Sequence, residues 1–132
     1  MSIDPIANFI SIIKNGYLAK KAEVKVPASK FKENLAKVLV KEGFLENVKT
    51  EKIKNQFVEN LILTLKYEGK KPVLTDIQRV SKPGLRVYLG KAKIPKVLGG
   101  LGIVVMSTPE GLMTGQEAKA KNLGGEAICK IW

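Results

Sequence analysis

Histidine is absent from the 132 residues. That removes at once every histidine-based triad, general base and metal ligand. Cysteine occurs once, at Cys129, which excludes an intramolecular disulfide and a cysteine zinc cluster and fits a reducing, cytosolic compartment. No apolar run approaches the ~18 residues of a membrane span. The first residues lack the layout of a signal peptide. No membrane partner and no cofactor are expected. Aromatic residues make up only 6% of the chain, and acids are few, 12 Asp plus Glu against 23 Lys plus Arg.

What remains is a chain that is 45% hydrophobic with a formal charge of +11. The first figure supports a packed core and argues against a disordered tail. The second is high for this length and calls for a polyanionic partner, either nucleic acid or an acidic membrane surface. The charge is uneven. Residues 69–96 hold eight basic groups and one acid, whereas residues 97–132 hold three of each. Lys70, Lys71, Arg79, Lys82, Arg86, Lys91, Lys93 and Lys96 can supply phosphate attraction. The neutral, glycine-rich loops that follow can supply close backbone approach, hydroxyls and amides. A merely solvated basic face is the bland alternative.

Along the chain, "DPIANFISIIKNGYLAKK" reads as a helix with Asp4 as cap and Pro5 at its first position. Ile6, Phe9, Ile10, Ile13 and Tyr17 fall on one face. "AEVKVP" is a short strand. "PASKFKENLAKVLVKEGFL" is a second helix, capped by Ser29, with Phe31, Leu35, Val38 and Leu39 as its buried stripe and Gly43 as its stop. "FLENVKTEKIKNQFVENLILTLKY" gives two strands and a polar turn, with Leu61, Leu63 and Leu65 alternating inward. "EGKKP" breaks the pattern. Beyond it, "VLTDIQRV" is a strand, "SKPG" a turn and "LRVYLG" the return strand. "KAKIPKVLGGLG" is irregular with a helical turn, and "IVVM" is a buried strand. Thr114 and Glu117 form a capping box that opens a short helix to about Asn122. Gly124 and Gly125 end it, and "EAICKIW" is the last strand. The fold class expected is α+β in two small domains. Residues 1–68 form an α/β unit with two helices on a short sheet, and residues 69–132 a mainly β unit with a short helix.

"MSTPEGLMTG", residues 106–115, carries three hydroxyls, a proline and two glycines but no basic group. Three readings compete: Ser107 as a nucleophile, a tight turn, or an uncharged contact to a polyanion. A nucleophilic serine needs an activating base, and neither a histidine nor a G-x-S-x-G elbow is present. No catalytic residue and no metal ligand are therefore assigned. "GGLG" precedes a strand instead of following one, so it does not make a phosphate-binding loop. Glu126 reads as a buried acid, as a strand-edge partner for a lysine, or as an acceptor that orients a loop, with the salt bridge favoured. Most aromatics fall on the apolar faces above, which makes base stacking on single strands the weaker reading. Small hydroxyl residues beside glycine suit the shallow minor groove of an RNA duplex.

"DPIANFISIIKNG", "RVSKPGLRVY", "IPKVLGGLGIVVMSTPEGLMT" and "GGEAICKIW" together closely resemble the bacterial small-subunit ribosomal protein eight family, in order and over nearly the whole chain. The resemblance implies a non-enzymatic primary assembly protein of the cytoplasmic ribosome. Its partners would be a helical element in the central domain of small-subunit rRNA and neighbouring small-subunit proteins. For some members they include an mRNA mimic in their own operon, which those members repress. Carried over by position, the RNA-contacting loop falls on Ser107, Thr108 and Gly111, and a second contact on Gly124, Gly125 and Glu126. Tyr88 with Lys91 matches a third element. Asp4, Lys14 and Asn15 in the first helix and Lys30 in "ASKFK" resemble further rRNA contacts. Family members commonly carry arginines where Ile12 and Lys14 stand here, and a lysine cannot make the forked contact of an arginine. The lysines would draw the RNA in, and the uncharged loop would select the site.

Overall fold

A computed structural model describes residues 5–52, 59–97 and 101–132. Asp4, expected to cap the first helix, lies outside the described residues. Contacts divide the chain into two compact units, Met1–Leu74 and Thr75–Trp132. The expected boundary at 68/69 and this division differ by one small hairpin. Strands β4 (Tyr67–Glu68) and β5 (Lys71–Pro72) pair across a turn in which Gly69 has φ +63°. The Tyr67 hydroxyl donates to the Lys21 carbonyl at 2.6 Å, so this hairpin belongs with the first unit.

In that unit, helix α1 (Pro5–Leu18) and helix α2 (Lys30–Lys41) accompany an antiparallel sheet. Its strands are β1 (Glu23–Pro27), β2 (Asn47–Lys52) and β3 (Glu59–Thr64), in the order β1-β3-β2. The alternation of Leu61, Leu63 and Leu65 does what it implies, and all three are buried with Phe9, Ile13 and Leu39. Tyr17 fastens α1 to this core. Its hydroxyl donates to the Phe44 carbonyl (2.6 Å) and accepts from the Lys66 amide (3.1 Å), and burial raises its pKa. Ser29 caps α2 as expected, its hydroxyl accepting from the Lys32 amide at 3.2 Å. The buried face of α2 departs from the expected stripe. Lys32, Leu35, Ala36 and Leu39 are buried, whereas Phe31 and Val38 are only half-buried. The spacing i, i+3, i+4, i+7 is kept, but a lysine occupies its first position. Its methylene stem is apolar, and its ammonium donates to the Pro27 carbonyl at 3.3 Å.

The second unit is built on strand β10 (Gly125–Ile131). One side of β10 pairs with β8 (Ile103–Thr108), which pairs in turn with β9 (Gly111–Thr114). The other side carries β6 (Ile77–Arg79) and β7 (Tyr88–Leu89) one after the other. This corrects two expectations. The stretch 73–80 is a strand only at Ile77–Arg79, and "LRVYLG" does not return against it. The "SKPG" turn closes on itself, Lys82 and Leu85 exchanging both backbone bonds at 2.9 Å. The Ser81 hydroxyl accepts from the Val87 amide at 2.9 Å. Both arms then bond to β10, Val80 and Ser81 donating to the Ile128 and Ala127 carbonyls and Val87 accepting from the Ala127 amide. A core of Ile94, Val97, Val104, Met106, Met113, Ala118 and Ala127 lies under this sheet. Helix α3 (Gly115–Ala120) begins at the expected box, with Thr114 accepting from the Glu117 amide at 3.2 Å. It ends two residues early. Asn122 (φ +59°) takes the left-handed position that closes such helices, and the Gly124–Gly125 pair serves another purpose.

Candidate nucleic-acid interface

The run "STPEG" folds as the corner of a hairpin. Thr108 pairs with Gly111, leaving Pro109 and Glu110 at the turn. Gly111 has φ +109°, a conformation that side chains disfavour. Thr108 is buried, and its hydroxyl is engaged within the turn. It donates to the Gly111 carbonyl at 2.8 Å and accepts from the Glu110 amide at 3.1 Å. Ser107 is half-buried, and its hydroxyl makes no hydrogen bond among the described residues. Among the described residues no activating base is therefore bonded to it. The buried Cys129 thiol is no nucleophile at neutral pH either, because burial pushes its pKa up to about 12.

Register places the expected residues side by side. Glu126 of β10 stands opposite Ser107 of β8 on one side and opposite Tyr88 of β7 on the other. Directly opposed residues in antiparallel strands share a face, and strands lie about 4.8 Å apart. Ser107, Glu126 and Tyr88 thus form a row about 10 Å long. Alternation along β8 sends Val104 and Met106 to the core and Ser107 to the opposite face. Tyr88 is 71% exposed.

The two glycines make the row possible. A Cβ on Gly125 would sit 2.2 Å from the Ser107 carbonyl oxygen and 3.2 Å from the Thr108 Cα. A Cβ on Gly124 would sit 2.7 Å from the Leu89 carbonyl oxygen. Both positions serve close approach of backbones, which draws the hairpin corner and the end of β7 against β10. Beyond β7, a 3-10 turn at Lys91–Lys93 presents two cations. The Lys91 ammonium donates to Asn122 Oδ1 at 3.1 Å, joining this turn to the end of α3.

Glu126 is the acid in the row. Its side chain is 17% exposed, and its Oε2 lies 3.2 Å from Nη1 of Arg86, which is 48% exposed. Arg79 is nearby. Burial and the neighbouring Arg86 lower its pKa, opposed by Cys129 and Glu126, and its Nε donates to the Ser81 carbonyl. Two guanidinium groups around one carboxylate leave this edge of the sheet with a positive excess.

Eight expected contact residues therefore converge in the second unit: Tyr88, Lys91, Ser107, Thr108, Gly111, Gly124, Gly125 and Glu126. The first unit carries the others. Lys14 is half-buried and Asn15 exposed on α1, while Lys30 is the exposed first residue of α2. Two residues of the site were not singled out from sequence. In the sequence Arg86 is one diffuse cation among eight, although alternation puts it on the face of Tyr88, two residues on. Asn122 shows itself in the sequence only as a helix end. Among the described residues no group of three or more Cys, Asp or Glu could hold a metal ion, and no helix is long and apolar enough to cross a membrane.

The family model described as Ribosomal protein S8 matches residues 4–132. The chain is 51% identical over 135 residues to the small ribosomal subunit protein uS8c of Physcomitrium patens, covering all of both chains. It is 48% identical over 132 residues to the small ribosomal subunit protein uS8 of Nitratidesulfovibrio vulgaris, again covering all of both. For the uS8 of Nostoc punctiforme the identity is 45% over 131 residues, covering 98% of this chain and 97% of the relative. With a hairpin corner, a glycine pair and a basic sheet edge assembled in one unit, and likeness running from end to end, the chain belongs to the ribosomal protein S8 family, whose members are structural proteins of the ribosome and not enzymes.

Proposed function

We propose that this protein is a structural constituent of the small ribosomal subunit. In this reading it is a primary assembly protein that binds a helical element in the central domain of small-subunit rRNA and borders other small-subunit proteins. The observation that supports it is the row Ser107–Glu126–Tyr88 across neighbouring strands β8, β10 and β7, beside Arg86, Lys91 and Lys93. Such a row offers a free hydroxyl, an acceptor and an aromatic face to the shallow groove of an A-form helix, while the cations provide sequence-independent attraction. Ser107 contacts the RNA directly. Thr108, its hydroxyl engaged in the turn, holds the corner that presents Ser107 and Gly111. The Gly124–Gly125 pair keeps Glu126 level with Ser107. Asp4, Lys14, Asn15 and Lys30 form a second contact contributed by the first unit. An mRNA helix of the same contour would occupy the same row, which is the basis for autoregulation of the protein's own operon.

The test is filter binding to the rRNA helix and to a random duplex of equal length, over a range of salt. Ser107→Ala should lower affinity for the rRNA helix by roughly three- to tenfold, the worth of one hydrogen bond, with the salt slope unchanged. Lys91→Ala should weaken both duplexes and flatten the slope by about 0.9. Equal losses on both duplexes for Ser107→Ala would refute the assignment.

A further inference from the structure

We propose that Arg86 is a positioning residue for RNA selection: it neutralises Glu126 and aims that carboxylate at a hydroxyl or amino donor of the bound RNA. The inference rests on the reading of the row as the RNA-contacting face. It starts from an apparent misfit, a carboxylate in the middle of a surface meant for a polyanion. Glu126 has Ser107 and Tyr88 as its cross-strand neighbours, and only 17% of its side chain is exposed. Little water remains to screen it. Facing phosphates without a partner, it would repel the RNA.

Arg86 answers that misfit. Its Nη1 donates to Oε2 of Glu126 at 3.2 Å, and nothing else in the row is cationic. The neighbouring Arg79, whose Nε donates to the Ser81 carbonyl, adds a Coulombic attraction to Glu126, whereas Arg86 is the group that hydrogen-bonds the carboxylate and fixes its direction. With Oε2 occupied, Oε1 makes no hydrogen bond among the described residues. A carboxylate oxygen only accepts. Phosphate oxygens offer it no proton, whereas ribose 2′-hydroxyls and exocyclic amines do. The pair therefore favours sugar and base edges over the backbone, and it does so only while Arg86 cancels the charge.

This predicts an unusual sign in a double-mutant cycle. Arg86→Ala should weaken binding to the rRNA helix at least about tenfold, because it strands a charge at the interface. Glu126→Gln alone should cost less, since the amide oxygen still accepts. Arg86→Ala combined with Glu126→Gln should bind more tightly than Arg86→Ala by itself, with melting temperatures of all variants compared as a folding control. Arg86→Lys, which keeps the charge and loses the fork, should fall between wild type and Arg86→Ala, and it carries the test if Arg86→Ala does not fold. Repeating the Glu126→Gln comparison on a 2′-deoxy-substituted helix assigns the donor: a vanished effect means ribose, a persistent one a base amine. A double variant as weak as Arg86→Ala, with the salt slope reduced by about 0.9, makes Arg86 a plain phosphate contact and overturns the inference. That result is separable from failure of the wider reading, in which Ser107→Ala would have no effect on the rRNA helix.

Discussion

At the scale of single residues, two glycines that look alike in sequence do different work. Gly111 needs its left-handed backbone (φ +109°), and a Cβ there would meet nothing within 4 Å. Gly125 has an ordinary backbone, but a Cβ would strike the Ser107 carbonyl oxygen at 2.2 Å. A side chain can sometimes turn away, whereas a strand backbone can yield only by breaking its ladder. Gly125→Ala should therefore lose stability by about 2 kcal/mol or more and also lose specific RNA binding. Gly111→Ala should cost only the strain of the conformation, about 1–2 kcal/mol, and leave the β8–β10 pairing intact. Chemical denaturation and filter binding on the two variants would show the difference. A larger stability loss at Gly111 than at Gly125 would contradict the packing described.

At the scale of elements, spacing between α1 and β1 is set by Gly16. A Cβ on it would lie 2.5 Å from Val24 Cγ1 and 3.1 Å from Leu65 Cδ1. Alanine is the better helix former by about 1 kcal/mol. Overpacking against a rigid β-branched neighbour costs about 1–3 kcal/mol and should win. Gly16→Ala is expected to lower the urea midpoint, and a raised midpoint would mean that α1 can move away freely. Much at this scale was legible in the sequence, because its determinants are local. Ser29 and Thr114 announce their helices through caps, and Leu61, Leu63 and Leu65 announce β3 through alternation. Elsewhere the deciding partner is distant in sequence. Nothing within residues 73–90 says that β6 and β7 both pair with β10, some 40 residues on. Lys32 displaces Phe31 from the buried stripe because the Pro27 carbonyl waits for its ammonium. Asn122 ends α3 before the glycines can, since a packing need at Ser107 and Leu89 already claims them. The candidate site followed the same rule. Its residue types were readable from the loops and the family resemblance, but the row itself, with Arg86 as a member, depends on strand register.

At the scale of the whole molecule, 23 basic against 12 acidic side chains set two effects of salt in opposition. Mutual repulsion weakens the folded protein on its own, so raising salt from about 50 to 200 mM should increase the melting temperature. The same change lowers the entropy gained from each counterion released on binding, and affinity for RNA should fall steeply over that range. Thermal scans of the free protein and binding isotherms in matched buffers would check both, and a melting temperature that fell with salt would show that paired charges outweigh the repulsion. Strand β10 adds a matter of timing. It is synthesised after every other strand of its unit, yet it lies between β8 and the β6–β7 arm. A growing polypeptide in which β10 has not emerged holds Ser107 and Tyr88 with nothing to bring them into line. Under the proposed function, RNA selection would await the insertion of this late strand.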